Sequence, residues 1–265
     1  MGGECDFDRA GPLGRNDKKM GPVTETLERT PTGAILYNRS IISGISDDRF
    51  AASGWLHVEP VTGALGSAGR GNTLFVGNVP RQFVLRHYVR GGLVGKFVGD
   101  KYVWTGEDQT RPFVEWRLLA KMAEKGLRVP RPAAARYCRK GLVYTADLIT
   151  VRIPNVRPLS VCLNERRQSV EFWQSIGRSI RQFHAGGVCH ADMSAHNLQI
   201  DDQDRLWLLD LDRGRLLQPG RWQQKTLARL HRSLEKIKTL EPNVHYSQED
   251  WEQFLEGYFD ASRSA

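Results

Sequence analysis

The sequence predicts an α+β chain of two lobes, a small β-rich one followed by a reduced and mainly helical one. Three observations predict it. Strand-like runs dominate residues 55–103, one strong helical pattern separates them from two further strands, and helical patterns dominate from residue 165 onward. Regular strand–helix–strand alternation is missing, which argues against a doubly wound parallel sheet. The 265 residues, 40% of them apolar, are enough for one large domain or two lobes with a shared core, and too apolar for a disordered chain.

Taken in order, residues 1–34 are rich in Gly, Pro, Thr and charge without periodicity and are expected to form a flexible tail. The β-rich lobe is expected over 35–150 and the helical lobe over 151–265. Trp55–Glu59, Leu74–Val76 and Gln82–Tyr88 read as strands, with a Gly77-Asn78 turn between the last two. Pro112 sits where a helix begins and Gly126 where one ends, and Glu115, Leu119 and Met122 share one stripe of the helix they bracket. A carboxylate on that stripe is unusual; taken alone it reads as the edge of the buried face. Strands follow around Ala135–Cys138 and Leu142–Thr150. A helix is expected over 165–184 with Trp173, Ile176, Ile180 and Phe183 inward, stopped by Gly186-Gly187. Short strands at Leu198–Ile200 and Leu206–Leu209 precede helices over about 222–240 and 248–258.

Composition narrows the class of protein. The longest apolar runs fall far short of the ~18 residues a spanning helix needs, and the first residues show no secretory pattern. The four cysteines are scattered without a CxxC pair, which disfavours a zinc knuckle or disulfide framework and favours a reducing compartment. A net charge of +8 implies a polyanionic partner, with nucleic acid, a phospholipid surface and a phosphorylated ligand all open.

The chemistry concentrates in Val188-Cys-His190-Ala-Asp192-Met-Ser-Ala-His-Asn197 and, thirteen residues beyond Asn197, Leu208-Leu-Asp210-Leu-Asp212. One carboxylate and one amide on a loop, with a carboxylate pair at the end of a short apolar strand, form an oxygen-rich set. Such donors suit Mg²⁺ held against phosphates, and the remaining carboxylate can accept a proton from an attacking hydroxyl. The spacing His-x-Asp-x-x-x-x-Asn followed by Asp resembles the catalytic loop and metal-binding motif of the protein-kinase-like fold.

From about Leu74 to Tyr258 the chain also resembles the 3-deoxy-D-manno-octulosonic acid (Kdo) kinases of the lipopolysaccharide kinase family. The matching stretches include Leu85-Arg-His-Tyr-Val-Arg-Gly-Gly-Leu-Val-Gly-Lys96, Thr110-Arg-Pro-Phe-Val-Glu-Trp-Arg-Leu-Leu119, His190-Ala-Asp192 and Leu211-Asp-Arg-Gly-Arg215. The resemblance implies a protein-kinase-like two-lobed fold and ATP- and Mg²⁺-dependent phosphorylation of the Kdo 4-hydroxyl on a lipid A precursor. It implies Asp192 as the catalytic base, and Asn197 and Asp210 as Mg²⁺ ligands. Asp212 adds a metal or loop contact, or is structural; His190 props the loop or takes part in proton transfer. Glu115 would pair with a strand cation at the ATP phosphates, either Arg86 or Lys96. Gly69 and Gly71 would let backbone N–H groups approach phosphate, or simply form a hairpin turn. Arg213 and Arg215 are candidates to hold the sugar carboxylate or a phosphate.

A protein acceptor is not expected. Ser194 stands two residues after Asp192, where serine/threonine kinases carry Lys, and His196 stands where tyrosine kinases carry Arg. Only 55 residues follow Asp210. Arg221, Lys225, Arg229, Arg232 and Lys236 repeat at helical spacing, opposite a stripe of Leu227, Leu230, Leu234 and Ile237, and residues 221–240 carry a net +5. By itself such a stripe reads as the solvated face of a docked helix. Given a lipid A substrate, it points instead to peripheral attachment at the anionic cytoplasmic face of the inner membrane. Nucleic acid is not expected as a partner, because basic patches interleaved with aromatics are missing. The alternatives are a kinase of another small sugar or aminosugar, and a non-catalytic anion-binding pseudokinase.

Overall fold

The structure, a computed structural model, describes residues 22–61, 73–78, 81–89 and 99–260. Two compact units divide the chain. One comprises residues up to Glu124 together with Pro130–Arg152; the other comprises Lys125–Val129 and everything from Ile153 on. Residues 125–129 therefore leave the expected first lobe, and their tie to the second unit is explicit: the Leu208 N–H donates to the Arg128 carbonyl. No described helix is long and apolar enough to cross a membrane.

The first unit is an antiparallel sheet. Its strands are β1 (Glu25–Thr30), β2 (Gly33–Asn38), β3 (Val58–Pro60), β4 (Thr73–Val76), β5 (Phe83–His87), β6 (Tyr102–Val103), β7 (Pro132–Lys140) and β8 (Val143–Val151). They are ordered β1-β2-β7-β8-β5-β4-β3, with β6 also on β8. The β1–β2 hairpin corrects the expectation of a flexible tail to residue 34. Strand β1 is an edge strand whose side chains are mostly exposed, so it carries none of the apolar alternation by which strands are read. Helix α1 (Arg111–Glu124) falls between Pro112 and Gly126 as expected. Gly126 takes φ +72°, the left-handed turn that ends helices.

Two-residue alternation sets what each face of this sheet carries. On β5, Phe83 and Leu85 join Ile149 and Val151 of β8 and Ile35 and Tyr37 of β2 in one apolar cluster, closed by Ile41, Ile42, Phe50 and Trp55 of the following segment. Arg86 lies between Leu85 and His87, so it faces the other side, where α1 packs. His87 returns to the first side and bonds Asp147 at 2.7 Å, and Asp147 also accepts from Arg136 at 2.8 Å. Burial opposes charging of His87, but the Asp147 hydrogen bond outweighs it and raises its pKa.

The second unit is mainly helical: α2 (Leu159–Glu165), α3 (Val170–Ala185), α4 (Trp222–Leu240) and α5 (Gln248–Asp260). Two small strand groups accompany them: β10 (Val188–Cys189) with β13 (Arg215–Leu216), and β12 (Leu206–Leu208), β11 (Leu198–Ile200) and β9 (Arg157–Pro158) in one sheet. The helix expected over 165–184 is α3, which starts later, at Val170, whereas α2 ends at Glu165, where the expected range begins. Ser169 starts α3, its hydroxyl accepting the Phe172 N–H at 3.2 Å as a helix N-cap. The inward residues of α3 are those expected, with Trp173, Ile176, Ile180 and Phe183 all buried.

Helices α3 and α5 meet backbone to backbone at Gly177 and Gly257. A Cβ added at Gly257 would lie 2.1 Å from the Gln174 carbonyl oxygen, and one at Gly177 would lie 2.1 Å from that of Phe254. Both atoms are backbone, so neither yields without moving a helix. Gly257→Ala is therefore expected to lower unfolding free energy by about 2–3 kcal/mol, measurable by urea titration, whereas Gly220→Ala, with only looser contacts of 3.7 Å and beyond, should stay within about 0.5 kcal/mol.

His184 lies fully buried against the same pair of helices, its Nδ1 2.8 Å from the Tyr258 hydroxyl and its Nε2 without a partner. Burial, helped by the Arg181 charge, holds its pKa at about 4 instead of 6.5. The unfolded chain thus binds a proton that the folded chain refuses between those values. Its contribution to stability is full above pH 6.5 and falls as the pH drops through this window. Between pH 7 and 5 it is expected to remove about 2 kcal/mol. Urea unfolding of His184→Gln should show a correspondingly flatter pH dependence than wild type.

Candidate active site

In the first unit, a buried ion pair joins β5 to α1. Arg86 Nη2 lies 2.5 Å from Glu115 Oε2, and the Tyr88 hydroxyl donates to the same oxygen at 2.5 Å. Glu115 is 3% exposed, so an unpartnered carboxylate there would carry a severe desolvation cost. Tyr88 follows Arg86 by two residues and shares its side of the strand direction. The Arg86 guanidinium stacks 4.6 Å above the Tyr88 ring and bonds its hydroxyl at 3.1 Å. Of the two cations considered for Glu115, Arg86 is among the described residues and pairs with it. Lys96, Gly69 and Gly71 lie outside the described residues.

In the second unit, the loop from His190 to Asn197 is built on buried anchors: Met193, Ala195 and Leu198 are fully enclosed, while Asp192 is exposed. Three structures brace it. On one side, α2 contributes Ser160, whose N–H donates to the Ala195 carbonyl at 3.2 Å and whose hydroxyl lies 2.9 Å from His196 Nδ1. On another, α4 contributes Ser233, whose hydroxyl accepts the Ala195 N–H at 3.2 Å. Within the loop, His190 takes the Asp192 N–H on Nδ1 at 3.0 Å, so its proton resides on Nε2 and is donated to the Leu209 carbonyl at 2.9 Å. Burial lowers the pKa of this ring, and a neutral imidazole is what the two bonds require.

That bridge fixes the Asp210 end of the motif beside the loop. The Leu209 N–H donates to the Asn197 carbonyl at 3.0 Å, and Asn197 Nδ2 donates to the Asp192 carbonyl at 2.8 Å. With its nitrogen so committed, the Asn197 amide keeps its oxygen as an acceptor. Asp210 takes φ +58°, a left-handed backbone that non-glycine residues adopt at a cost and that clusters at functional sites. Asp212 stands two residues on, in the turn closed by the Gly214 N–H on the Leu211 carbonyl. Among the described residues no group of three or more His, Cys, Asp or Glu side chains is placed to hold a metal. The amide and carboxylate oxygens of Asn197 and Asp210 instead make the sparse, hard donor set that suits Mg²⁺ when phosphates and water complete its shell.

Arg213 is exposed, and Arg215 on β13 pairs across from Cys189, one residue before His190. On α4, Leu227, Leu230, Leu234 and Ile237 are buried, whereas Arg221, Lys225, Arg229, Arg232 and Lys236 are exposed. Arg229 reaches the loop: its Nη2 and Nε lie 2.6 and 3.1 Å from Asp192 Oδ1. Sequence reasoning missed this contact, the brace from Ser160 and Ser233, and the part of Tyr88. Strand periodicity from Arg86 carried a signal for Tyr88, whereas the others depend on helices folding back onto the loop.

Comparison with known proteins places the chain in a family. The family model described as lipopolysaccharide kinase (Kdo/WaaP) family matches residues 61–258. The 3-deoxy-D-manno-octulosonic acid kinase of Vibrio parahaemolyticus is 40% identical over 223 residues, covering 84% of this chain and 92% of that protein. The protein of the same name from Stenotrophomonas maltophilia is 39% identical over 238 residues, covering 89% and 93%. That of Vibrio cholerae is 46% identical over 173 residues, covering 65% and 74%. Among solved structures, the bifunctional kinase-methyltransferase WbdD aligns with a TM-score of 0.44 at 14% identity, over 79% of this chain and 47% of that one.

The Arg86–Glu115 pair yields a direct test. Arg86→Ala removes a charged partner of the buried Glu115 carboxylate and is expected to cost about 2–4 kcal/mol of unfolding free energy. The double variant Arg86→Ala/Glu115→Ala should cost less than the sum of the two single variants, as read by a urea double-mutant cycle.

Proposed function

We propose that this chain, which belongs to the lipopolysaccharide kinase (Kdo/WaaP) family, transfers the γ-phosphoryl group of ATP to the 4-hydroxyl of the Kdo residue on Kdo-lipid IVA. The observation that carries the reading is the His190 bridge, which sets Asp192, Asn197 and Asp210 around one braced loop. Relatives named 3-deoxy-D-manno-octulosonic acid kinase, 36–46% identical, support Kdo as the acceptor sugar.

Asp192 orients the sugar hydroxyl and takes its proton as the oxygen bonds to the γ-phosphorus and the bond to the β-phosphate oxygen breaks. Its exposure leaves room for a bulky glycolipid acceptor. Asn197 and Asp210 hold Mg²⁺, which when bound neutralises charge on the phosphate oxygens. His190 keeps the loop in register and stays neutral. Arg86, fixed by Glu115 and Tyr88, presents a guanidinium for phosphate, where a planar fork replaces the point charge of a lysine. Arg213 and Arg215 hold the sugar carboxylate or a lipid phosphate, and Asp212 adds a metal or loop contact. The exposed cations of α4 face the anionic headgroups of the inner membrane at its cytoplasmic side, where the protein attaches peripherally.

Purified protein with Mg·ATP is expected to add one phosphate to Kdo-lipid IVA, located at the 4-position by NMR. Asp192→Asn should lower the rate by about three orders of magnitude. Wild-type protein that binds Mg·ATP yet leaves this acceptor unmodified would overturn the reading.

A further inference from the structure

The loop that carries Asp192 has no cation of its own to steady it. Ser194 stands two residues after the carboxylate, His190 is held neutral by its two backbone bonds, and His196 is engaged by Ser160. A carboxylate that must work beside phosphate groups needs an opposing charge that holds it in place and offsets repulsion. We propose that Arg229, delivered from helix α4, is the positioning residue for Asp192, an assignment that rests on the kinase reading above.

Three features of the contact support this. First, both Nη2 and Nε converge on a single oxygen, Asp192 Oδ1. Among the described residues Oδ2 receives no hydrogen bond. The carboxylate is thus held by one oxygen while the other stays available to an acceptor hydroxyl. Second, the contact is not a chance of a long side chain. Buried Leu227, Leu230 and Leu234 fix how α4 is rotated, and Ser233, one turn after Arg229 on the same side, bonds the Ala195 N–H of the same loop. Successive turns of one helix therefore touch the loop at Asp192 and at Ala195. Third, stability does not account for the pair. Arg229 and Asp192 side chains are 50% and 61% exposed, and ion pairs so exposed contribute little to folding. Geometry this well defined, with two donors on one oxygen of the reactive group, has its use in orienting that group.

The planar fork matters. Lysine at 229 would return the charge but not the two-donor grip, so it should restore part of the function and not all. Arginine also leaves the acceptor hydroxyl unchallenged for Oδ2, because both of its engaged N–H groups are spent on Oδ1.

The test compares wild type, Arg229→Ala and Arg229→Lys, reading both phosphorylation of Kdo-lipid IVA and the slow Mg·ATP hydrolysis to water. The second readout keeps the two conclusions separate: an acceptor left unmodified by wild type counts against the substrate assignment, while the effect of residue 229 is still read on ATP. Arg229→Ala is expected to lower kcat on the order of a hundredfold, with KM for ATP and the melting temperature unchanged. Arg229→Lys should fall between, and added guanidinium or ethylguanidinium should recover part of the alanine variant's rate. An alanine variant within twofold of wild type on both readouts overturns the proposal, as does a loss that follows a drop in melting temperature and is not recovered by guanidinium.

Discussion

The arrangement of the second unit depends on a neutral histidine. His190 must accept from one backbone N–H and donate to one backbone carbonyl at once, and imidazole is the side chain that does both across its ring while remaining rigid. Protonation would set an N–H on Nδ1 against the Asp192 N–H and break the bridge. Burial prevents this by making the charged ring costly, even with Asp192 and Asp210 near enough to favour it. The same burial that looks like simple core packing thereby favours the neutral ring that the loop geometry needs. Asp210 then reaches its place through a strained backbone, which only a surrounding structure held this firmly can maintain.

The first unit solves a different problem with the opposite means. Glu115 is buried and charged, so the cost falls on its partners, and two donors meet one oxygen. Arginine serves here where lysine would not. Its flat cation stacks on Tyr88 while one terminal nitrogen bonds both the phenol and the carboxylate. Phe83 and Leu85 on the reverse side of the strand anchor this assembly to the main apolar cluster. A single strand thus contributes core packing from one face and a fixed guanidinium from the other.

Much of this was legible in the sequence, for reasons specific to each element. Helix α1 is marked at both ends, by Pro112 and by Gly126. Helices α3 and α4 carry amphipathic stripes, and strands β11 and β12 are short apolar runs between turns. The motif residues His190, Asp192, Asn197 and Asp210 could be found because their spacing is local. What stayed hidden is tertiary. Strand β1 gains its conformation from pairing with β2 and has no buried face of its own to announce it. Helix α2 is a seven-residue element held by contacts to the His190–Asn197 loop, with no side-chain cap to mark its start. The later start of the helix expected over 165–184 was written in the sequence as a capping residue, Ser169, but the residues before it were read as helical too.

Helix α4 shows how the overall positive charge is put to use. Its buried leucines set the rotation of the helix, and that rotation decides where every cation of the opposite stripe points. A stripe read from spacing alone is uniform: five equivalent cations on a solvated face. Once Arg229 is bonded to Asp192 and Ser233 to the loop backbone, it is no longer uniform. One member is bonded to the His190–Asn197 loop, and Lys225 and Arg232 stand one turn away from it on either side. An anion drawn to this helix would therefore be brought toward the loop that carries Asp192. Attraction and orientation follow from one constraint, the apolar packing of α4, so that core residues far from any reactive atom set the geometry on which the exposed charges act.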